Sequence, residues 1–104
     1  MAVDMNVVMG LIMYGGDAKA SAYEAIFAAK AGDFELADSK IVAAKAALSE
    51  AHHQQTDLLT KAAQGEQVDI DIYMIHAQDH VMTSIAFVDI AQEIIDLHKK
   101  IDNK

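Results

Sequence analysis

His76, Asp79, His80 and Thr83 are spaced three and four residues apart, which places them along one face of the helix that the periodicity predicts near the end of the chain. Imidazole and carboxylate groups together offer metal ligation, proton transfer, or attack by a neutral ring nitrogen. On the helical wheel Asp79 falls within about 20° of Ile72, Ala86, Ile90 and Leu97. A carboxylate in such an apolar stripe is costly unless it is paired, hydrogen-bonded or bound to a cation. No Lys precedes Lys99 in this helix and the chain has no Arg. The options are therefore protonation, a hydrogen bond, a lysine from elsewhere such as Lys19, or a metal ion. A His-x-x-x-His pair arises readily by chance among 5 histidines, and a lone His on such a face is most often a satisfied core residue. A zinc-hydrolase reading lacks the acidic base in the position that such enzymes use. Met74 and Met82 read as packing.

The elements that must position these residues follow from composition and turn signals. The chain has 104 residues, no Pro and no Cys, with 53% hydrophobic and 6% aromatic residues. The absence of Pro and the richness in Ala favour long helices. The absence of Cys excludes disulfides, thiolate metal sites and a cysteine nucleophile. A net charge of −8 argues against a nucleic-acid partner. No apolar run approaches the ~20 residues of a membrane span. The start, Met1 to Gly10, contains Asp4 and Asn6 and does not read as a leader. The expectation is one all-α, cytoplasmic domain spanning 1–104.

Ala31-Gly32-Asp33-Phe34 supplies a glycine to end one helix and an aspartate to begin the next. Gln64-Gly65-Glu66-Gln67-Val68-Asp69 repeats that logic. The predicted helices are Asp4 to Ala31, Phe34 to Gln64 and Ile70 to Ile101, each about 28 to 32 residues or roughly 42–48 Å. Short connections make them an antiparallel up-down-up three-helix bundle. Gly15-Gly16 predicts either a kink or break in the first helix, or the close approach of another backbone or ligand. In the second helix Phe34, Ala37, Ile41, Ala44, Leu48, Ala51, Gln55, Leu58 and Leu59 follow helical spacing. His52 and His53 are about 100° apart, so they do not form a matched ligand pair. In the third, Asp71, Gln78, Asp89 and Asp96 form a polar strip read as the solvent face. Met74, Val81, Ile85, Val88 and Ile95 face the bundle. Ile72, Ala86, Phe87, Ile90, Ile94 and Leu97 form a second apolar side that a small monomer cannot cover, which implies oligomerisation.

The run Ile75-His76-Ala77-Gln78-Asp79-His80-Val81-Met82-Thr83 closely resembles the active-site segment of the lactose/cellobiose-type IIA components of the bacterial phosphoenolpyruvate-dependent sugar phosphotransferase system. Gly16-Asp17-Ala18-Lys19 is similar to that family's Gly-Asp-Ala-Arg, with Lys replacing Arg. Tyr23-Glu24-Ala25, Gly32-Asp33-Phe34, and Ala51-His52 with Gln55-Thr56 also match in order and spacing. The resemblance implies three-helix subunits assembled as a nine-helix homotrimer. It implies that His76 accepts a phosphoryl group from the phosphocarrier protein HPr and passes it to a cysteine of the IIB component. The membrane IIC component is then met only indirectly. Gln78 and His80 match flanking positions that order the site. Asp79 matches an aspartate that meets its symmetry mates at the trimer axis, where a divalent cation such as Mg2+ can sit.

The resemblance gives the residues a mechanism. An imidazole of ordinary pKa ~6.5 is mostly neutral near pH 7, so His76 needs no activating base. Phosphoryl transfer requires positioning more than covalent machinery. Donors from His80, Thr83 or a neighbouring helix N-terminus would stabilise the transferring oxygens. Three carboxylates about 5 Å apart would repel by roughly 3 kcal/mol per pair at an effective dielectric near 20, which a divalent cation would remove. Two other readings remain at this level. One is a non-catalytic trimer whose His76/Asp79/His80 cluster holds a structural metal. The other is a regulatory IIA relative that takes phosphate without passing it on.

Overall fold

The computed structural model describes residues 3–104. Met1 and Ala2, which begin both the leader-free start and the 1–104 domain expected from sequence, lie outside the described residues. Three helices follow in order, α1 (Met5–Lys30), α2 (Phe34–Ala63) and α3 (Ile72–Asp102), with no strand among the described residues. Cross-helix pairs give their directions. Glu24 with Lys40, then Gly10 with Gln54, make α1 and α2 antiparallel. Asp38 with Lys99, then Gln55 with Gln78, do the same for α2 and α3. Gly15 with Ser84, then Tyr23 with Phe87, set α1 and α3 parallel. The result is the expected up-down-up bundle, 58 × 21 × 18 Å.

The reversals are built from the residues that announce them. After α1, Gly32 takes φ +81°, its N–H donates to Ala29 O, and Asp33 N–H donates to Ala28 O. Asp33 then turns its carboxylate to Leu36 N at 3.1 Å, so one residue closes α1 and caps α2. Gly65, φ +85°, repeats the closing geometry after α2 with Glu66 N–H on Lys61 O. The third cap differs from expectation. Asp71, not Asp69, accepts from Met74 N at 3.0 Å, so α3 starts at Ile72 rather than Ile70. Asp71 therefore belongs to a cap rather than to the solvent strip.

Gly15-Gly16 does not break α1 into two helices: the helix runs unbroken from Met5 to Lys30. The reason is packing. Gly15 is buried against α3, and a Cβ on it would lie 3.3 Å from the His80 carbonyl oxygen. The alternative expectation, close approach of another backbone, holds at Gly15. Gly16 meets nothing within 4 Å and nothing in the structure explains it.

The core is narrow and rich in alanine. Ala18, Ala22, Ala25 and Ala29 of α1, Ala37, Ile41 and Ala44 of α2, and Val88, Ala91 and Ile95 of α3 form its upper part. Val8, Leu11, Ala51, Met74, Ala77 and Val81 form the part beneath the histidines. On α3 the bundle-facing side is as expected, with Ile85 half-buried, whereas Leu59 of α2 points outward. The second apolar side of α3 is bare in part: Ile72, Ile90 and Leu97 are more than half exposed, whereas Ile94 is half-buried and Phe87, expected on the same side, packs on the core and on the Tyr23 ring of α1 at 4.5 Å. Among the described residues no helix is long and apolar enough to cross a membrane. Replacing Asp33 with Ala removes a cap and is expected to lower stability by about 1 kcal/mol, read as a lower urea midpoint with unchanged helix content.

Candidate functional site

Helical spacing of four stacks His76 and His80 one turn apart on α3. Their ring centroids are 4.7 Å apart with planes at 80°, so one ring presents its edge to the other. His76 is exposed and His80 half-buried. His80 lies on the side of α3 that rests on α1, and its Nδ1 is buried without a hydrogen-bond partner. Burial lowers the His80 pKa below its ordinary 6.5, with the neighbouring His76 and Lys19 adding to the effect and Asp79 opposing it. The neutral form of His80 is thus favoured near pH 7.

The other expected residues take more specific roles than their types announced. Thr83 donates its hydroxyl proton to Asp79 O at 2.8 Å, with His80 O at 3.3 Å. The proton expected for a transferring phosphoryl oxygen is therefore engaged by the helix backbone, as is common for Thr within helices. Gln78 is not on the solvent face. It is half-buried against α2 and accepts from Gln55 Nε2 at 2.7 Å. Gln55 is buried, and its amide also meets Met82 Sδ at 3.6 Å. Asp89 and Asp96 do face solvent, as do His52 and His53.

Asp79 is exposed in the bare apolar stripe between Ile72 and Ala86. The ion pairs among the described residues are Lys40–Glu24 and Lys99–Asp38, so Lys19 does not neutralise it. Beside it opens a hollow of about 410 Å³ lined by Leu58, Ile70, Met74 and Ile75. No three His, Asp or Glu side chains converge to hold a metal ion among the described residues.

Two residues that sequence reasoning did not single out support the site. Ser84 is fully buried and its hydroxyl reaches Gly15 O at 2.8 Å and also the His80 carbonyl. Gln55, read as part of an apolar periodicity and of the family resemblance but given no role, anchors Gln78. The available signal was a small polar residue at a bundle-facing position opposite a glycine pair.

The sequence profile of the family described as the phosphotransferase-system lactose/cellobiose-specific IIA subunit matches residues 6–99. A cellobiose-specific EIIA component of Lactococcus lactis is 50% identical over 97 residues, 93% of this chain and 84% of that protein. The crystal structure of the cellobiose-specific enzyme IIA from Bacillus anthracis superposes with a TM-score of 0.94 at 42% identity, covering 100% of this chain and 95% of that one. The Escherichia coli IIA(chitobiose), solved in complex with HPr, superposes with a TM-score of 0.81 at 39% identity, covering 97% and 99%.

The lowered pKa of His80 has a measurable sign. The unfolded chain takes up this proton more readily than the folded one, so this contribution to stability is present above pH 6.5 and is lost as pH falls through the folded value. An NMR titration of the histidine rings in metal-free protein is expected to give His80 a midpoint below 6.5, moving upward in Lys19→Met.

Proposed function

The chain belongs to the lactose/cellobiose-specific IIA family of the phosphotransferase system, and on that premise we propose that it carries a phosphoryl group on His76 between HPr and the IIB component of a diglycoside importer. The observation that carries this reading is His76 itself. It is an exposed imidazole at the head of the His-Ala-Gln-Asp-His-Val-Met-Thr run, seated edge-on against a neutral His80. The relative solved with HPr bound supports HPr as the donor.

The chemistry asks little of the protein beyond placement. An unprotonated ring nitrogen of His76 attacks phosphorus as the bond to the donor histidine of HPr breaks, and the donor nitrogen leaves with its electron pair. In the second step the thiolate of a IIB cysteine displaces the His76 nitrogen in the same sense. Exposure of His76 gives two partners access in turn, and His80 limits the ring's freedom on the inner side. The protein works on the cytoplasmic side and meets the membrane IIC component only through IIB. Sugar recognition lies in IIC.

The bare stripe of α3 is read as the contact between three copies. Asp79 then lies among Ile72, Ala86 and Ile90 near the axis, with no ion pair to it among the described residues. Carboxylate oxygens are the ligands that Mg2+ prefers. Three Asp79 side chains would hold such an ion, whose charge would relieve their mutual repulsion. Asp79 is in this reading an assembly residue and His76 the catalytic one.

Incubation with phosphoenolpyruvate, enzyme I and HPr is expected to add one acid-labile phosphoryl group, mapped to His76 by peptide mass analysis and absent from His76→Ala. No transfer from demonstrably phosphorylated HPr would refute the carrier reading, and transfer to this chain but not to IIB would favour a regulatory relative. For the assembly, sedimentation of Asp79→Leu is expected to give a trimer as tight as or tighter than the parent and insensitive to EDTA. Folded Asp79→Leu monomers would overturn the axial assignment.

A further inference from the structure

We propose that the contact between Ser84 and Gly15 is a positioning device for the transfer reaction: it sets the seat of the His80 ring and, through that ring, the orientation of His76. The proposal rests on His76 being the residue that accepts the phosphoryl group.

A hydroxyl in a helical core is costly unless it is hydrogen-bonded, and Ser84 is fully buried. Its Oγ lies 2.8 Å from Gly15 O on α1 and also reaches the His80 carbonyl in its own helix. One proton serves two acceptors. Both carbonyls lie inside helices, where each already accepts from the residue four positions on. Ser84 therefore rescues no orphaned group. What it does is link two backbones at a defined separation. Gly15 is the matching half. A Cβ there would lie 3.3 Å from His80 O, 3.4 Å from the His80 carbonyl carbon and 3.4 Å from Ser84 Oγ. The backbone of His80 thus rests on the space left by the missing side chain.

This seat matters because His80 has no anchor of its own. A functional histidine is commonly oriented by a hydrogen bond from its second ring nitrogen. Here Nδ1 is buried and unpartnered. The ring's orientation is left to packing between α1 and α3, whose spacing the Gly15–Ser84 contact defines one turn away. His80 in turn bears on His76, at 4.7 Å between centroids and 80° between planes. The chain of contact runs from Gly15 through the His80 backbone to the two rings, and Ser84 acts through His80 without touching the phosphoryl group.

The test uses the full-length chain carrying Ser84→Ala, which removes the donor, and separately Gly15→Ala, which adds the obstructing carbon. Ile95→Val, a fully buried substitution at the far end of α3, is the control. Both test variants are expected to keep parental helix content and assembly. Their single-turnover rate constants for phosphoryl uptake at saturating phospho-HPr are expected to fall about tenfold, with an unchanged half-saturating donor concentration. The ring nitrogen resonances of His80 and His76 shift in both, and neither effect appears in Ile95→Val. Parental rates and ring signals in Ser84→Ala, or an equal loss in the control, would overturn the proposal. If Ser84→Ala does not fold, Gly15→Ala against the control makes the same comparison. A parent chain that takes no phosphoryl group on His76 would refute the underlying function, while the ring signals would still decide whether the contact positions the histidines.

Discussion

Two helices approach only as closely as the smallest residues between them permit, and in this bundle that limit is met where the backbone of α3 at His80 rests on Gly15 of α1. The same restriction to small residues continues along α1 through the buried Ala18, Ala22, Ala25 and Ala29. Close helices with an alanine seam leave little room for large side chains inside. Met9, Met13, Tyr23 and Phe27 of α1 consequently stand more than half exposed, as do Ile72, Met82, Ile90 and Leu97 of α3. The narrow core and the apolar exterior are two consequences of one packing choice. A chain this short buries a modest fraction of its surface by itself, so the exterior is where further stabilisation is available.

The proposed assembly uses that exterior. Packing α3 stripes of three copies together would cover Ile72, Ile90 and Leu97 and bring the Asp79 carboxylates to the one place where a shared cation answers them. His76 lies on the flank of the same helix, toward α1, where it stays open to partners while His80 supports it from within. The division is angular: about 60° around α3 separates Asp79 from His76, and that turn separates the proposed assembly role from the proposed catalytic one. Gln78 faces yet another way, tied to Gln55 across the groove to α2.

Much of this is legible in the amino-acid sequence. The glycine-aspartate turn at Gly32-Asp33, the three helices, the bundle-facing residues of α3 and the exposed Ile72, Ile90 and Leu97 all follow from spacing and capping chemistry, whereas Phe87 finds a partner in Tyr23 that spacing alone does not show. The errors have physical causes. Asp69 and Asp71 are both plausible caps, and only the backbone path after Gly65 decides that Asp71 reaches Met74 N–H. Gly15-Gly16 reads locally as a weakness, because propensity counts the missing side chain as a cost, whereas α3 uses the vacated space. The wheel places Gln78 within about 20° of Asp71 and Asp89, which reads as the solvent face, but a polar partner on another helix, Gln55, draws it inward. Ser84 has no one-dimensional signature beyond being polar where apolar residues are expected.

The central claim, that His76 is the phosphoryl carrier, is tested most directly by nitrogen-15 and phosphorus-31 NMR of the labelled parent protein after incubation with phospho-HPr. The account predicts a single phosphorus resonance coupled to one ring nitrogen of His76, with the other 4 of the 5 histidines uncoupled. Coupling to His80, His52, His53 or His98 instead, or no coupled phosphorus while HPr is demonstrably phosphorylated, would contradict it.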